Sequence, residues 1–138
     1  MSLNIKTPLK NKKSLYSDFH KDLTINPISS DLAIRKDEAS VKEALKNLLL
    51  TDRGERPFQP TLGGNVRATL FENNTPATIK VLEERVREVI NNFEPRVNLL
   101  DVEVLSNYND SYVQVKVYFY VQTSQDPVSV TVFLERTR

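Results

Sequence analysis

The chain has 138 residues, 39% of them hydrophobic and 27% charged, which suits one domain with a real core. Lys and Arg number 19 against 18 Asp and Glu, a formal net charge of +1, so the basic stripe expected of a nucleic-acid binder is missing and nucleic acid is not expected as a partner. Cysteine is absent and His20 is the single histidine, which excludes a disulfide framework, a thiolate metal site, a histidine metal cluster and a multi-histidine acid–base site.

No apolar run approaches the roughly 20 residues that span a bilayer, and the lysine-bearing start has no apolar signal segment. No membrane partner, no classical secretion and no cofactor are therefore expected. Residues 1–14 carry Lys6, Lys10, Lys12 and Lys13 with little to bury, and read as a flexible basic arm ahead of a single domain over 15–138. Tyr16 and Phe19 are placed to pin that arm to the body. Between Lys21 and Arg35, alternating Leu23, Ile25 and Leu32, Ile34 flank Pro27, Ser29, Ser30 and Asp31, which predicts two short extended pieces and a turn.

Val41, Ala44, Leu45, Leu48 and Leu49 lie on one helical stripe. Asp37 or Ser40 can cap that helix, and Ser40 with Glu43 has capping-box spacing. Gly54 suits a left-handed position after its end near Thr51 or Asp52. The next stretch, Arg53-Gly54-Glu55-Arg56-Pro57-Phe58-Gln59-Pro60-Thr61-Leu62-Gly63-Gly64, reads as a fixed loop that prolines stiffen and that Phe58 and Leu62 anchor to the core. Its Gly63-Gly64 pair lacks the spacing of a phosphate cradle.

A short helix is predicted over Val66–Phe71. Thr75 as cap with Pro76 at the first helical position then starts a long one. Its apolar seam is Ile79, Leu82, Val86, Val89, Ile90 and Phe93. Lys80, Glu83, Glu84, Arg87 and Glu88 form its charged face, with Glu83 and Arg87 at pairing distance. Pro95 stops this helix, because it lacks an N–H and disfavours helical geometry in the residue before it. Glu94 then sits at the negative end of the helix dipole and wants a cation, for which Arg96, Arg53 and Arg56 are the candidates.

After Pro95 the apolar period becomes two. Leu100, Val102 and Val104, then Val113, Val115, Val117, Phe119 and Val121, then Val128, Val130, Val132 and Leu134 predict three antiparallel strands in a meander. Turns are expected at Asn107–Ser111 and Ser124–Pro127. The last strand is an open edge unless the N-terminal pieces cover it. The fold class that results is α+β: two main helices and one short helix packed on a small, mostly antiparallel sheet.

Catalytic signals are weak. No elbow motif surrounds a serine. A glycosidase needs two carboxylates across a sugar groove, for which Glu94 with Asp101 or Glu55 supplies only the count.

Four segments nevertheless recur together in one order: Leu15-Tyr16-Ser17-Asp18-Phe19, Arg53-Gly54-Glu55-Arg56-Pro57-Phe58-Gln59-Pro60 with Gly63, Leu70-Phe71-Glu72-Asn73 with Thr75-Pro76, and Asn92-Phe93-Glu94-Pro95-Arg96. From about Tyr16 onward the chain resembles the small baseplate wedge family of contractile-tailed phages, most of all its T4-like members. Type VI secretion baseplates and other contractile injection systems share this family. The resemblance implies a structural part, not an enzyme, although the family also carries a lysozyme-like label. It implies several copies in a virion tail baseplate assembled in the host cytoplasm, contacts with other wedge proteins, and a position near the tail tube. It further implies a strand platform on which the first sheath subunits add. Carried over, Glu94, Pro95 and Arg96 form the docking motif, with Arg53, Arg56, Pro57 and Phe58 as a supporting loop. The strand of Val128, Val130, Val132 and Leu134 is the expected sheath acceptor. The rivals are a peptidoglycan-cleaving glycosidase and the equivalent subunit of a type VI or related machine.

Overall fold

The computed structural model describes residues 14–70, 75–106, 112–122, 124 and 126–135. In chain order the elements are strands β1 (Ser17–Phe19) and β2 (Ile34–Lys36), helices α1 (Glu38–Leu50), α2 (Val66–Thr69) and α3 (Pro76–Phe93), and strands β3 (Val97–Leu105), β4 (Tyr112–Val121) and β5 (Pro127–Glu135). The α+β class and the meander are as the sequence predicts. β3, β4 and β5 pair antiparallel in that order, and α1 and α3 cover one face of their sheet. The basic arm lies outside the described residues up to position 13, as do Phe71, the turn at 107–111, and positions 123 and 125 of the following turn.

Alternation decides what is inside. Val113, Val115, Val117, Phe119 and Val121 of β4 are buried, and so are Val128, Val130, Val132 and Leu134 of β5. They meet Val41, Leu45 and Leu49 of α1 and Leu82, Val86, Val89 and Ile90 of α3 in one core. β3 departs from expectation. It starts three residues earlier, at Val97, and its register against β4 shifts between Leu99 and Asp101. Such a bulge reverses the inside–outside parity along the strand. Val97 is therefore buried along with Val102 and Val104, while Leu100, expected inside, is 45% exposed.

The N-terminal pieces form their own hairpin rather than covering the last strand. Ser17, Asp18 and Phe19 pair with Lys36, Arg35 and Ile34, and an isolated bridge joins Ile25 to Leu32. Tyr16 packs on the core, but Phe19 is exposed, so one of the two expected aromatic pins is in place.

The start of α1 differs in detail. Asp37 is the cap by position, yet its carboxylate gives the helix no hydrogen bond. It accepts instead from the backbone N–H groups of Leu15 and Tyr16, at 2.9 and 3.3 Å. Ser40 lies inside the first turn, and its buried hydroxyl has no partner among the described residues. The capping box is therefore not formed, and Glu43 is buried beside Arg35 at 3.6 Å. Helix α3 follows its prediction: Thr75 Oγ1 accepts from Thr78 N–H, and Pro76 opens the helix. Arg87 does not join Glu83. It crosses to Asp101 on β3 at 2.8 Å.

The loop after α1 is held by its own backbone. Gly54 N–H donates to Pro60 O at 2.9 Å, and Gly54 has φ +85°. Thr51, not a left-handed residue, ends the helix, with extended backbone. Gly63, at φ +109°, runs against the α1 terminus so closely that a Cβ would meet Thr51 O at 2.4 Å. Leu62 packs on the core as expected, but Phe58 points away from it and is fully exposed.

Candidate functional site

Helix α3 ends at Phe93, one residue before the proline-disfavoured position. Glu94 caps it, with its N–H still donating to Ile90 O at 2.9 Å, and Val97 N–H donates back to Glu94 O at 3.3 Å. The chain thus reverses direction over four residues and enters β3. Gln122, just past β4, ties this corner down: its N–H donates to Arg96 O at 3.1 Å and its side-chain amide to Pro95 O at 2.7 Å.

The cation that Glu94 wants is Arg96. Arg96 Nε donates to Oε1 at 2.7 Å and Nη2 to Oε2 at 2.6 Å, a two-pronged pairing of planar groups. Glu94 is only 6% exposed, so this is a buried carboxylate held by a partly buried arginine. The bond to Glu94 raises the Arg96 guanidinium above its already high ordinary pKa. The Arg96 guanidinium carbon also lies 5.6 Å from the ring centre of Tyr16, which ties the corner to the start of the N-terminal hairpin.

Beside the corner opens a cleft of about 220 Å³. Leu48, Leu62 and Phe93 contribute its apolar wall, and Asp18, Asn47, Thr51, Arg56, Glu94 and Arg96 its polar one. The structure therefore brings together three of the segments named from sequence: the Glu94–Arg96 corner, the Arg56 loop and, through Asp18, the Leu15–Phe19 segment. Arg53 lies near the same loop, its Nε donating to Gly63 O at 3.2 Å. Phe58 stands apart from the cleft lining, and Val128, Val130, Val132 and Leu134 face the core from a different region. Gln122 is a part of the corner that the sequence does not signal: it lies far from it along the chain and belongs to no motif. Tyr16 lies in one of the four segments, but nothing in the sequence places it against Arg96.

As an acid–base site the arrangement is poor. Both Glu94 oxygens are engaged by Arg96, and neither Asp101 nor Glu55 lines the cleft. Glu55 accepts from Asp52 N–H at 2.9 Å within its own loop, and Asp101 is taken by Arg87. Among the described residues there is no group of three His, Cys, Asp or Glu that could hold a metal ion, and no helix long and apolar enough to cross a membrane. What the arrangement offers is a rigid polar corner next to a small cleft, which is the chemistry of recognition.

The family described as baseplate wedge protein gp25 matches this chain over residues 35–126. The baseplate wedge protein gp25 of Enterobacteria phage T4 is 32% identical over 123 residues, covering 87% of this chain and 90% of its own. The chain belongs to the gp25 baseplate wedge family. Its place is accordingly the baseplate of a contractile tail, as a structural component.

Solved structures of the same fold extend across tail-like particles. A Geobacter sulfurreducens protein described as a candidate tail lysozyme superposes with a TM-score of 0.65 at 21% identity, over 71% of this chain and 89% of its own. A chain of the anti-feeding prophage baseplate gives 0.61 at 20% identity, over 89% and 87%. A chain of the postcontracted pyocin R2 baseplate gives 0.50 at 19%, over 80% and 96%. In this gp25-type wedge protein the matched family region begins in β2 and ends just before β5, so it includes Glu94, Pro95, Arg96 and Gln122 but not Tyr16.

Proposed function

We propose that this wedge protein is a scaffold without catalytic activity that performs two connections. The corner of Glu94, Pro95 and Arg96, with the Arg53–Phe58 loop beside it, docks on other wedge proteins close to the tail tube. The outer edge of β5 receives a strand from the first ring of sheath subunits and so starts sheath assembly.

The observation that carries this reading is the state of β5. It is nine residues long and pairs with β4 on one side, while among the described residues its other side has no backbone partner. Its alternate side chains are locked in the core, which fixes the height and pleat of the strand. An added strand would gain a full set of main-chain hydrogen bonds in a register already set. The engaged oxygens of Glu94 support the non-catalytic part, since a glycosidase acid must meet the leaving group of its substrate. The purified protein should turn over no peptidoglycan. Hydrolysis that disappears in Glu94→Gln would replace this reading with the glycosidase one.

The chain has no cysteine of its own, which permits a clean cross-linking test. Ser129→Cys and Thr131→Cys put thiols on β5, and Gln114→Cys puts one on the central strand β4. A disulfide needs Cα atoms about 4.4–6.8 Å apart. With cysteines scanned along the sheath subunit's terminal segments, cross-links should form from β5 and not from β4. No cross-link from β5 in tails that have grown normal sheath would eliminate this edge as the acceptor.

A further inference from the structure

Phe58 combines two unusual features. It is fully exposed, so the folded protein gains no packing from it. Its φ is +68°, the left-handed region, where a bulky side chain is a genuine outlier. The loop enforces this conformation from both ends. Gly54 N–H donates to Pro60 O, Gln59 N–H donates to Arg56 O at 3.3 Å, and Arg53 Nε donates to Gly63 O. Pro57 and Pro60 restrict the backbone on either side, and Leu62 fastens the loop to the core. Strain of this kind persists only where the surroundings over-determine it, and it clusters at clamps and ligand contacts.

The charges around it point the same way. Among the described residues neither Arg53 nor Arg56 makes an ion pair, as is also true of Arg67 and Arg85, whereas Arg35, Arg87 and Arg96 each have a carboxylate. Glu55, the acid between them, is turned onto Asp52 N–H. The loop therefore carries an exposed aromatic ring and, within five residues of it, two arginines that make no ion pair, of which Arg56 also lines the cleft. Aromatic residues, Phe among them, and Arg are enriched at interfaces, and Arg is frequent among the residues that carry most of the binding energy.

We infer that Phe58 is a preformed plug that seats in an apolar socket of a neighbouring baseplate wedge subunit, with carboxylates at the socket rim facing Arg53 and Arg56. This rests on the docking role proposed above and names its contact. The loop makes this contact beside the one made by the Glu94–Arg96 corner.

The test is binding of the purified full chain to purified wedge subunits, read beside its thermal midpoint. Phe58→Ala should weaken binding by tenfold or more with the Tm unchanged. Phe58→Gly should give the same loss with the Tm equal or higher, because glycine accepts positive φ without strain. Arg56→Glu should weaken binding further at low salt than at high salt, as a charge reversal at an acidic rim requires. Wild-type affinity in Phe58→Ala overturns the plug and leaves the docking role standing. A fall in Tm in both Phe58 variants overturns it too, since it would make the ring a structural element. If the wild-type chain binds no wedge subunit, the docking role and the plug fall together.

Discussion

Arg96 holds both oxygens of Glu94 while Glu94 is almost wholly removed from solvent. A buried carboxylate with its partner removed costs far more than the pair contributes. Arg96→Ala should therefore destabilise the fold by about 2–3 kcal/mol in urea unfolding, less than a wholly buried pair because the arginine is 29% exposed. Arg96→Lys should recover only part of this, since an ammonium cannot reproduce the two-pronged geometry. Wedge docking should fall more in Arg96→Ala than in Arg87→Ala. Equal losses would show that the corner has no special part in docking.

A second prediction concerns pH. The Arg87 hydrogen bond, helped by Val102 N–H, holds the Asp101 carboxyl below the usual carboxylate range. A depressed folded-state pKa means that the contribution is present above the unfolded value, about 3.9, and is lost as pH falls through the folded one. In Arg87→Ala the Asp101 carboxyl signal in NMR should titrate at higher pH than in the wild type. Both groups are exposed, so the Tm at neutral pH should change little.

The two glycines at the ends of the loop should respond differently to the same change. Gly54→Ala meets nothing within 4 Å and suffers only its φ of +85°, a cost of about 1 kcal/mol. Gly63→Ala suffers φ +109° and drives a Cβ against Thr51 O, so it should cost several times as much, on the order of 3 kcal/mol or more. Thermal denaturation of the two variants side by side checks the order.

What the sequence reveals and what it hides follow from the range of the interactions. Helix α3 and strands β4 and β5 are legible because their signals are local: the Thr75-Pro76 start, the Pro95 stop and strict alternation of valines. The errors lie where distant groups compete. Asp37 has the look of a cap, but the amides of Leu15 and Tyr16 claim its carboxylate. Glu83 and Arg87 have pairing spacing, but Asp101 offers Arg87 a partner across the bulged strand. The bulge has no residue signature of its own, so the parity of Leu100 is misread. Glu94's need for a cation is legible from the helix dipole. That Phe58 turns outward is not, because a phenylalanine between prolines reads as an anchor.

Deleting residues 127–138 is an obvious way to remove the proposed acceptor edge, but it takes part of the core with it. Val128, Val130, Val132 and Leu134 are buried in the shared core, and α1 packs on β5. Losing them forfeits on the order of 8 kcal/mol of apolar burial, comparable to the entire stability of a small domain, about 5–15 kcal/mol. The truncated chain should show no cooperative thermal transition by circular dichroism, and its failure to grow sheath would say nothing about the edge.

The claim that β5 works by giving its outer main-chain groups to a sheath strand is read most directly by amide hydrogen exchange along Pro127–Glu135. In the free protein, alternate amides of β5 should exchange quickly, since those pointing away from β4 have no acceptor among the described residues. Once the first sheath ring has joined, those same amides should become protected while the ones bonded to β4 stay as they were. Outer-edge amides that exchange as fast in the sheathed tail as in the free protein would contradict the account.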